Sequence, residues 1–476
     1  MDSPYERRID TRLVLSIVAT GLLSFMGVVI ETAMNVTFPT LMKEFDITTA
    51  TVQWVTTAYL LMLANVIPAS SFLKKRFKTR NLFIAAMLLF IIGTVIDAIA
   101  PTFALLVAGR LIQGIGTGIA LPLMFNIVLE QAPLDKMGMM MGIATLICAM
   151  APAIGPSVGG MIINTFGWRM IFAILLPFQI LAFFLGFFSI RSAATEKTSF
   201  DWFGYLCLVI GFTSFIYAID QIETAGLSSI QVIGPFGTSI IGFILFRKHS
   251  KETKRPIVHL HIFHNHIFTL SVLVIVFGQF ICLALGFLIP NYAQIVLGEN
   301  PFTAGCLLLP GCMLGAILAP FSGKILDRMG AKKPIIIGNL AMVMATLCYS
   351  IFAWELTTDL FIIFYVCFTF GQGFLMGNTM TNGLRQISDT LQADGNAIIN
   401  TLQQLAGAVG TAITAAIVAA AQQGSTSNLI VTTAKGSAEA FYLLFILACT
   451  GLLCSSAIFS KAKKSHDTPI KNTART

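Results

Sequence analysis

The sequence predicts an all-α integral membrane protein that crosses the bilayer fourteen times. Of its 476 residues, 56% are hydrophobic and 11% charged, against roughly 25% charged in a soluble domain. Apolar runs of about 20 residues, the length that spans the hydrocarbon layer, recur along the whole chain. Lys and Arg gather in alternate connections between those runs, as the positive-inside rule requires of a multi-pass chain.

Six runs come first, at 13–37, 51–73, 81–100, 103–128, 138–163 and 169–190. Two follow, at 202–220 and 230–246, and six more at 267–289, 303–325, 334–353, 359–383, 396–421 and 440–460. Loop signals separate them at Pro101, 164–167, 195–199, 298–301 and 424–427. The two long polar connections, 191–201 and 247–266, divide the chain into a polar start (1–12), a six-span bundle (13–190), a two-span insert with its loops (191–266), a second six-span bundle (267–460) and a tail (461–476). Residues 1–12 are polar and no small-residue cleavage site follows the first run, so that run reads as its own insertion signal.

An even number of crossings puts both ends on one side. With both termini cytoplasmic, all of the 30 Lys and Arg fall in cytoplasmic segments except Lys43, Arg169, Lys435 and the intramembrane Arg110. The net charge of +8 is therefore topological, and it argues against a nucleic-acid partner. Trp54, Trp168, Trp202 and Trp354 all fall at span ends, where indole sits between lipid and water. These features predict a multi-pass protein of the cell membrane with lipid as its solvent.

The chain has no GxxxxGK[ST] and no connection long enough for a nucleotide-binding fold. Energy must then come from a gradient, with no cofactor, or transport must be passive. The nine cysteines lie in apolar runs without a CxxC pair, which gives no metal or redox site. No nucleophile–base pair emerges from the spans, so the chain does not read as an enzyme. Five histidines crowd one loop (His249, His259, His261, His264, His266), without acidic or Cys partners at ligand spacing.

A charge inside a span costs about 2.5–3.5 kcal/mol on insertion scales and marks a functional candidate. Glu31 lies in VVIETAMNVTFP. Asn35 is four residues on, and Pro39 four beyond that leaves the Asn35 carbonyl without its helical partner. A carboxyl taken out of water favours its protonated form, which suits alternate binding of a proton and a cation. The competing reading is a packing carboxyl near the interface. Arg110 lies in ALLVAGRLIQGIGTGIALPL, with Gln113, Gly114, Thr117 and Gly118 on its face and Pro122 beyond. It reads equally as a relay or as a bundle clamp. The fifth run, CAMAPAIGPSVGGMI, spaces Pro152 with Pro156 and Gly155 with Gly159, followed by Gly160. This suits a gating helix laid against the opposite bundle, or plain tight packing. Asp97, Asp220, Glu223, Glu355 and Asp359 fall near span ends and read as interfacial. Gln113, Gln279, Asn378 and Asn382, with Asn35, are candidates to line a cavity between the bundles.

With these residues in view, the chain resembles the major facilitator superfamily over 13–460, and more narrowly its fourteen-span drug:proton antiporters of the EmrB/QacA type. ETAMNVTFP is similar to that family's first-span motif, with Glu31 where Asp is usual. GRLIQGIGTGIALP closely resembles the fourth-span motif and implies a proton-relay or coupling role for Arg110. APAIGPSVGG with Gly167, Trp168 and Arg169 resembles the fifth-span antiporter motif. The family's loop motif is clean in the second half, at Gly323, Asp327, Arg328, Gly330, Lys332 and Lys333. The first-half copy, SFLKKRFKTR, keeps Arg76 but has Ser71 and Lys75 where Gly and Asp are expected.

The resemblance implies a major facilitator fold of two six-helix bundles with a two-helix insert, and proton-coupled efflux of lipophilic, cationic small molecules by a monomer. Two alternatives stand beside it: a proton-coupled importer of peptides or nutrients, and a membrane sensor or assembly protein that moves nothing.

Overall fold

The computed structural model describes residues 9–47, 49–52, 54–192, 195, 199–226, 229–253, 256–423 and 429–466. The predicted break at 424–427, most of 195–199, the tail from 467 and the side chains of Asp220 and Glu223 lie outside the described set. Fourteen helices among the described residues are long and apolar enough to cross a membrane. They are α1 (Thr11–Phe45), α2 (Trp54–Arg76), α3 (Thr79–Ile99), α4 (Phe103–Gln131), α5 (Met137–Phe166), α6 (Arg169–Ser189), α7 (Trp202–Ala225), α8 (Ile230–Glu252), α9 (His266–Ile295), α10 (Leu309–Met329), α11 (Lys332–Ile351), α12 (Thr358–Leu384), α13 (Gln392–Gln423) and α14 (Leu429–His466).

Local chemistry sets the helix ends. The Asp10 side chain accepts from the Leu13 N–H at 2.9 Å and starts α1. Thr102, Asp201, Thr357 and Asn265 cap α4, α7, α12 and α9 in the same way. Gly167 and Gly330, both at φ +81°, end α5 and α10 in a conformation that a β-carbon would strain. Several helices run past their predicted ends, α1 to Phe45 rather than 37, α8 to Glu252 rather than 246 and α9 to Ile295 rather than 289, and two boundaries differ in kind. The run 303–325 is split into a short helix, Pro301–Cys306, and α10, because Pro310 in the first turn of α10 has no N–H to continue a helix. The last helix starts at Leu429 rather than near 440. Its first turns pack on α13, where Gln422 donates to Thr433 at 2.8 Å and Gly436 lies against Val418.

The helices pack in a repeated pattern. In the first half α1 lies on α4, α5 and α6, α4 on α2 and α3, and α3 on α6. In the second half α9 lies on α12, α13 and α14, α12 on α10 and α11, and α11 on α14. The two sets meet through α5 with α10 and through α13 with α2, contacts that exchange under the same repeat. The insert, α7 and α8, is a hairpin whose α7 rests on α2 and α13, outside both sets.

The face carrying Lys74, Lys75, Arg76, Lys332 and Lys333 is called the basic face below. The two sets press together most closely in the half next to it. A β-carbon on Gly138 of α5 would lie 2.6 Å from the Gly323 carbonyl of α10, and one on Gly142 would meet the Ala319 carbonyl. Toward the opposite face the contact loosens: Gly305 of the short helix stands 3.8 Å from Ser157 of α5 by the same measure. Gly142→Ala is expected to lower stability by about 1–3 kcal/mol through this backbone clash. Gly160→Ala, where the nearest atom is Val36 Cγ1 at 3.9 Å, gains helix propensity of about 0.5–1 kcal/mol instead. Thermal unfolding of the two purified variants checks the opposite signs.

Candidate functional site

The site is built on α4. Gly114 and Gly118 let it lie directly on α2: a β-carbon at Gly114 would be 2.7 Å from the Tyr59 carbonyl, and one at Gly118 2.8 Å from Val66 Cβ. That approach carries Arg110 into full burial, at 0% exposure. A buried guanidinium needs partners. Its Nε donates to the Val55 carbonyl at 3.1 Å, its Nη1 donates to Gln113 Oε1 at 2.6 Å, and its plane lies 4.3 Å over the Tyr59 ring. Nη2 has no hydrogen-bond partner among the described residues.

Gln113, expected to line a cavity, is instead fully buried and committed at both ends. Its oxygen accepts from Arg110, and its nitrogen donates to Thr94 Oγ1 at 2.9 Å. Gln179 of α6 donates to the same hydroxyl at 3.0 Å, which ties α3, α4 and α6 around Arg110. Pro122 lies inside α4, and its carbonyl accepts from the Asn396 amide of α13 at 2.8 Å.

Glu31 lies on α1, half-buried, with no hydrogen bond to a described residue. One turn before it, Gly27 stands where a β-carbon would meet Thr117 Oγ1 at 2.6 Å and the Tyr59 hydroxyl at 2.7 Å, so α1, α2 and α4 converge below the carboxyl. Arg110 is within charge–charge range of Glu31. Asn35 is exposed and accepts from Thr56 Oγ1 of α2 at 2.9 Å, which closes the α1–α2 end rather than turning toward Arg110.

The small-residue stripe of α5 corrects the gating expectation. Gly155 and Gly159 face α1 of their own set, not the opposite bundle. A β-carbon at Gly155 would collide with Thr32, and one at Gly159 would lie 2.9 Å from Ala33 Cβ. The stripe thus seats the very turn of α1 that carries Glu31. The opposite set is met by Gly138 and Gly142 at the start of α5, with Pro156 and Ser157 near Gly305 farther along. Pro152 and Pro156 sit inside the continuous helix.

At the far end of α5 the Trp168–Arg169 pair holds α1. Trp168 Nε1 and Arg169 Nη1 both donate to the Glu44 carboxylate at 2.7 Å, and Arg169 Nη2 donates to the Ala100 carbonyl at 2.8 Å. Partial desolvation raises the pKa of Glu44, but the Trp168 and Arg169 bonds outweigh it and leave the group below its ordinary 4.5. A lowered folded-state value stabilises the fold above pH 4.5 and loses that contribution as pH falls through the still lower folded value. Glu44→Gln is therefore expected to cost about 0.5–1 kcal/mol at pH 7, the pair being half-exposed, and nothing in strong acid. Unfolding midpoints at the two pH values check it.

The second-half candidates divide. Asn378 is buried and bonded to Ser322 Oγ at 2.6 Å and the Phe374 carbonyl at 2.8 Å, so it ties α10 to α12 and is not available to line a cavity. Gln279 accepts from Gln403 at 3.2 Å, between α9 and α13. Asn382 keeps its amide nitrogen without a partner among the described residues. Among the acids read as interfacial, Glu355 and Asp359 are exposed, but Asp97 is fully buried beside α4.

The loop motifs form two latches at the basic face. In the second half Asp327 accepts from the Gly138 and Met139 N–H groups at 2.9 and 3.0 Å, capping α5 across the interface. Arg385 bridges Asp327 and the Leu134 carbonyl at 3.1 and 3.0 Å. Gly323 supplies the close approach and Gly330 the helix end, while Arg328 and Arg76 are exposed. The first-half copy lacks the acid, and the structure restores the latch with its charge reversed. Lys75 donates at 2.8 Å to Asp394, a fully buried carboxylate in the first turn of α13. Ser71 also donates to Asp394, and His259 of the insert loop contributes its backbone N–H at 3.2 Å and its Nδ1 at 2.5 Å. Sequence reasoning missed Asp394 and Asn396. Asn396 and Asn400, four apart at the start of a predicted span, were the available signal. A Lys75→Met and Asp394→Asn double-mutant cycle is expected to show a coupling of about 1 kcal/mol or more, with Asp394→Asn the costlier single change because Lys75 still reaches water. Denaturation of the four proteins measures it.

Two repeated helix sets latched at one face, with a buried arginine and an accessible carboxyl in the first set, define a two-bundle membrane protein of the transporter type. The family comparison is explicit: the Major Facilitator Superfamily model matches residues 19–411, and the chain belongs to that superfamily. Lincomycin resistance protein LmrB of Bacillus subtilis is 36% identical, over 95% of this chain and 96% of its own length. The multidrug resistance protein B homolog of Mycobacterium tuberculosis is 30% identical, over 90% of this chain and 80% of its own length. The solved structure of the proton:xylose symporter XylE superimposes with a TM-score of 0.67 at 15% identity, over 94% of this chain and 96% of that one, and attests the fold.

Proposed function

We propose that the chain is a proton-coupled exporter of lipophilic, cationic small molecules, working as a monomer in the cell membrane with both termini in the cytoplasm. The observation that carries this is Glu31: a half-buried carboxyl without a hydrogen bond among the described residues, one turn from where α1, α2 and α4 meet, in range of the fully buried Arg110. A carboxylate in low dielectric attracts an organic cation or a proton, and holding both at once is disfavoured. Competition for one group couples their movements without any cofactor. Relatives named for lincomycin and multidrug resistance support a drug as cargo.

The latches supply the conformational half of the cycle. The positive-inside rule makes the basic face cytoplasmic, so this state is shut toward the cytoplasm, and Glu31 is reached from the other side. Cargo leaves and a proton enters there. Rocking to the other state requires release of Asp327 from the start of α5 and of Lys75 and His259 from Asp394. The importer alternative has less support, since the α5 stripe that resembles the antiporter motif is the element seating Glu31.

Uptake into inside-out vesicles tests the reading, with a fluorescent lipophilic cation and lincomycin as probes. Uptake by the native chain is expected to collapse with an uncoupler, and Glu31→Gln to reduce it at least tenfold. Full coupled uptake by Glu31→Gln would move the coupling carboxyl elsewhere. Absence of proton-driven uptake of either probe by the native chain would turn the reading against cationic drugs.

A further inference from the structure

Asp97 is the one buried acid in this region that the scheme above leaves unused. It lies on α3 at 0% exposure, and neither carboxyl oxygen has a hydrogen-bond partner among the described residues. Its Oδ1 packs directly over Gly109, where any side chain would collide with it. Arg110 is the next residue, and its Nη2 is likewise without a partner among the described residues. An ionised carboxylate left unbonded in a dry site is one of the costliest arrangements available to a protein. A buried acid and a buried base that stand as neighbours, each keeping an unused group, are two members of a pair that has not closed.

The charge balance extends to Glu31. Arg110 is within charge–charge range of both Asp97 and Glu31. The elements packed on α3 bring few other ionisable groups to this half of it. From α4 comes Arg110, and from α2 Tyr59, stacked under that guanidinium. From α6 comes Arg169, already held by Glu44 and the Ala100 carbonyl. Arg110 is thus one cation facing two acids. It can compensate one carboxylate, and the other must hold a proton.

We propose that Asp97 is a second proton-binding carboxyl, sharing a single counter-charge, Arg110, with Glu31, so that the two acids ionise in alternation. In the state described here Arg110 leaves Asp97 unbonded and Asp97 carries a proton. When Glu31 is neutralised, by a proton or by a change of cargo, the unused Nη2 turns to Asp97, whose O–H bond breaks and whose proton passes to water. The protein thereby holds a proton in reserve on α3 while Glu31 is ionised and carries neither a proton nor a cation. This rests on Glu31 being the coupling carboxyl, but its test reads protonation and not transport.

The experiment is infrared difference spectroscopy of the purified full chain at neutral pH, without any cargo. Carbon-13 labelling of aspartate carboxyls identifies an Asp C=O stretch by its isotope shift. The native protein is expected to show a protonated-aspartate band, and Asp97→Asn to lose it. Glu31→Gln is expected to lose it too, because Arg110 is then released to ionise Asp97. An aspartate band that persists unchanged in Glu31→Gln would overturn the proposal and leave Asp97 a permanently neutral packing group. Absence of the band from the native protein would overturn it as well. Should Asp97→Asn fail to fold, the labelled native chain and Glu31→Gln still decide between these results. Failure of Glu31→Gln to impair vesicle uptake, with the band lost, would separate the two ideas by sinking the transport role of Glu31 alone.

Discussion

A guanidinium that water cannot reach organises the first half of this protein. Arg110 is fully buried, and lipid offers it nothing. Every helix around it is placed to answer that charge. The α2 backbone supplies the Val55 carbonyl and the Tyr59 face, α4 itself supplies Gln113, and α3 and α6 hold Gln113 through Thr94. Gly114 and Gly118 exist in this frame to bring α2 near enough for those bonds to form. The α5 stripe then fixes α1 so that Glu31 is held near the same charge. Packing and electrostatics are here one constraint, because a looser α2–α4 contact would leave the arginine unsolvated.

The second constraint is that the bundles must hold together at one face and still be able to part. Buried apolar surface gives little preference between protein and lipid, so polar contacts carry the discrimination. Asp327 on the start of α5 and Lys75 on Asp394 are charge-assisted bonds at the basic rim, strong enough to bias a two-state equilibrium, with the acids buried and the basic partners Lys75 and Arg385 still reaching water. Their reversal of sign between the halves shows what the repeat preserves. An acid beside a helix start is kept in both, but in one half it arrives from the opposite bundle and in the other it belongs to the first turn of the helix itself. His259 adds the insert loop to the second latch, which gives the two-helix hairpin a direct hold on the closing of the core.

Much of the architecture was legible beforehand because a bilayer imposes a period on sequence. Fourteen apolar runs and the alternation of basic loops require only length and charge to be read. Glu31 and Arg110 stood out for the same reason, as charges where charge is costly. Asp97 did not, since it lies so near a predicted span end that distance along the chain could not separate an interfacial acid from one packed against Gly109. Gln113 and Asn378 looked like cavity residues for their polarity, but polarity says nothing of whether a partner across the helix gap already consumes it.

The sequence by itself determined the number of crossings, the repeat and the presence of an intramembrane acid and base, because each follows from the free energy of transferring a segment or a charge into hydrocarbon. Tertiary structure alone decided which helix each glycine stripe faces, that Asp394 replaces the missing loop acid, and that Asp97 stands beside Arg110. Those outcomes depend on the rotation of one helix against another, a quantity set by the mutual fit of side chains far apart in the chain.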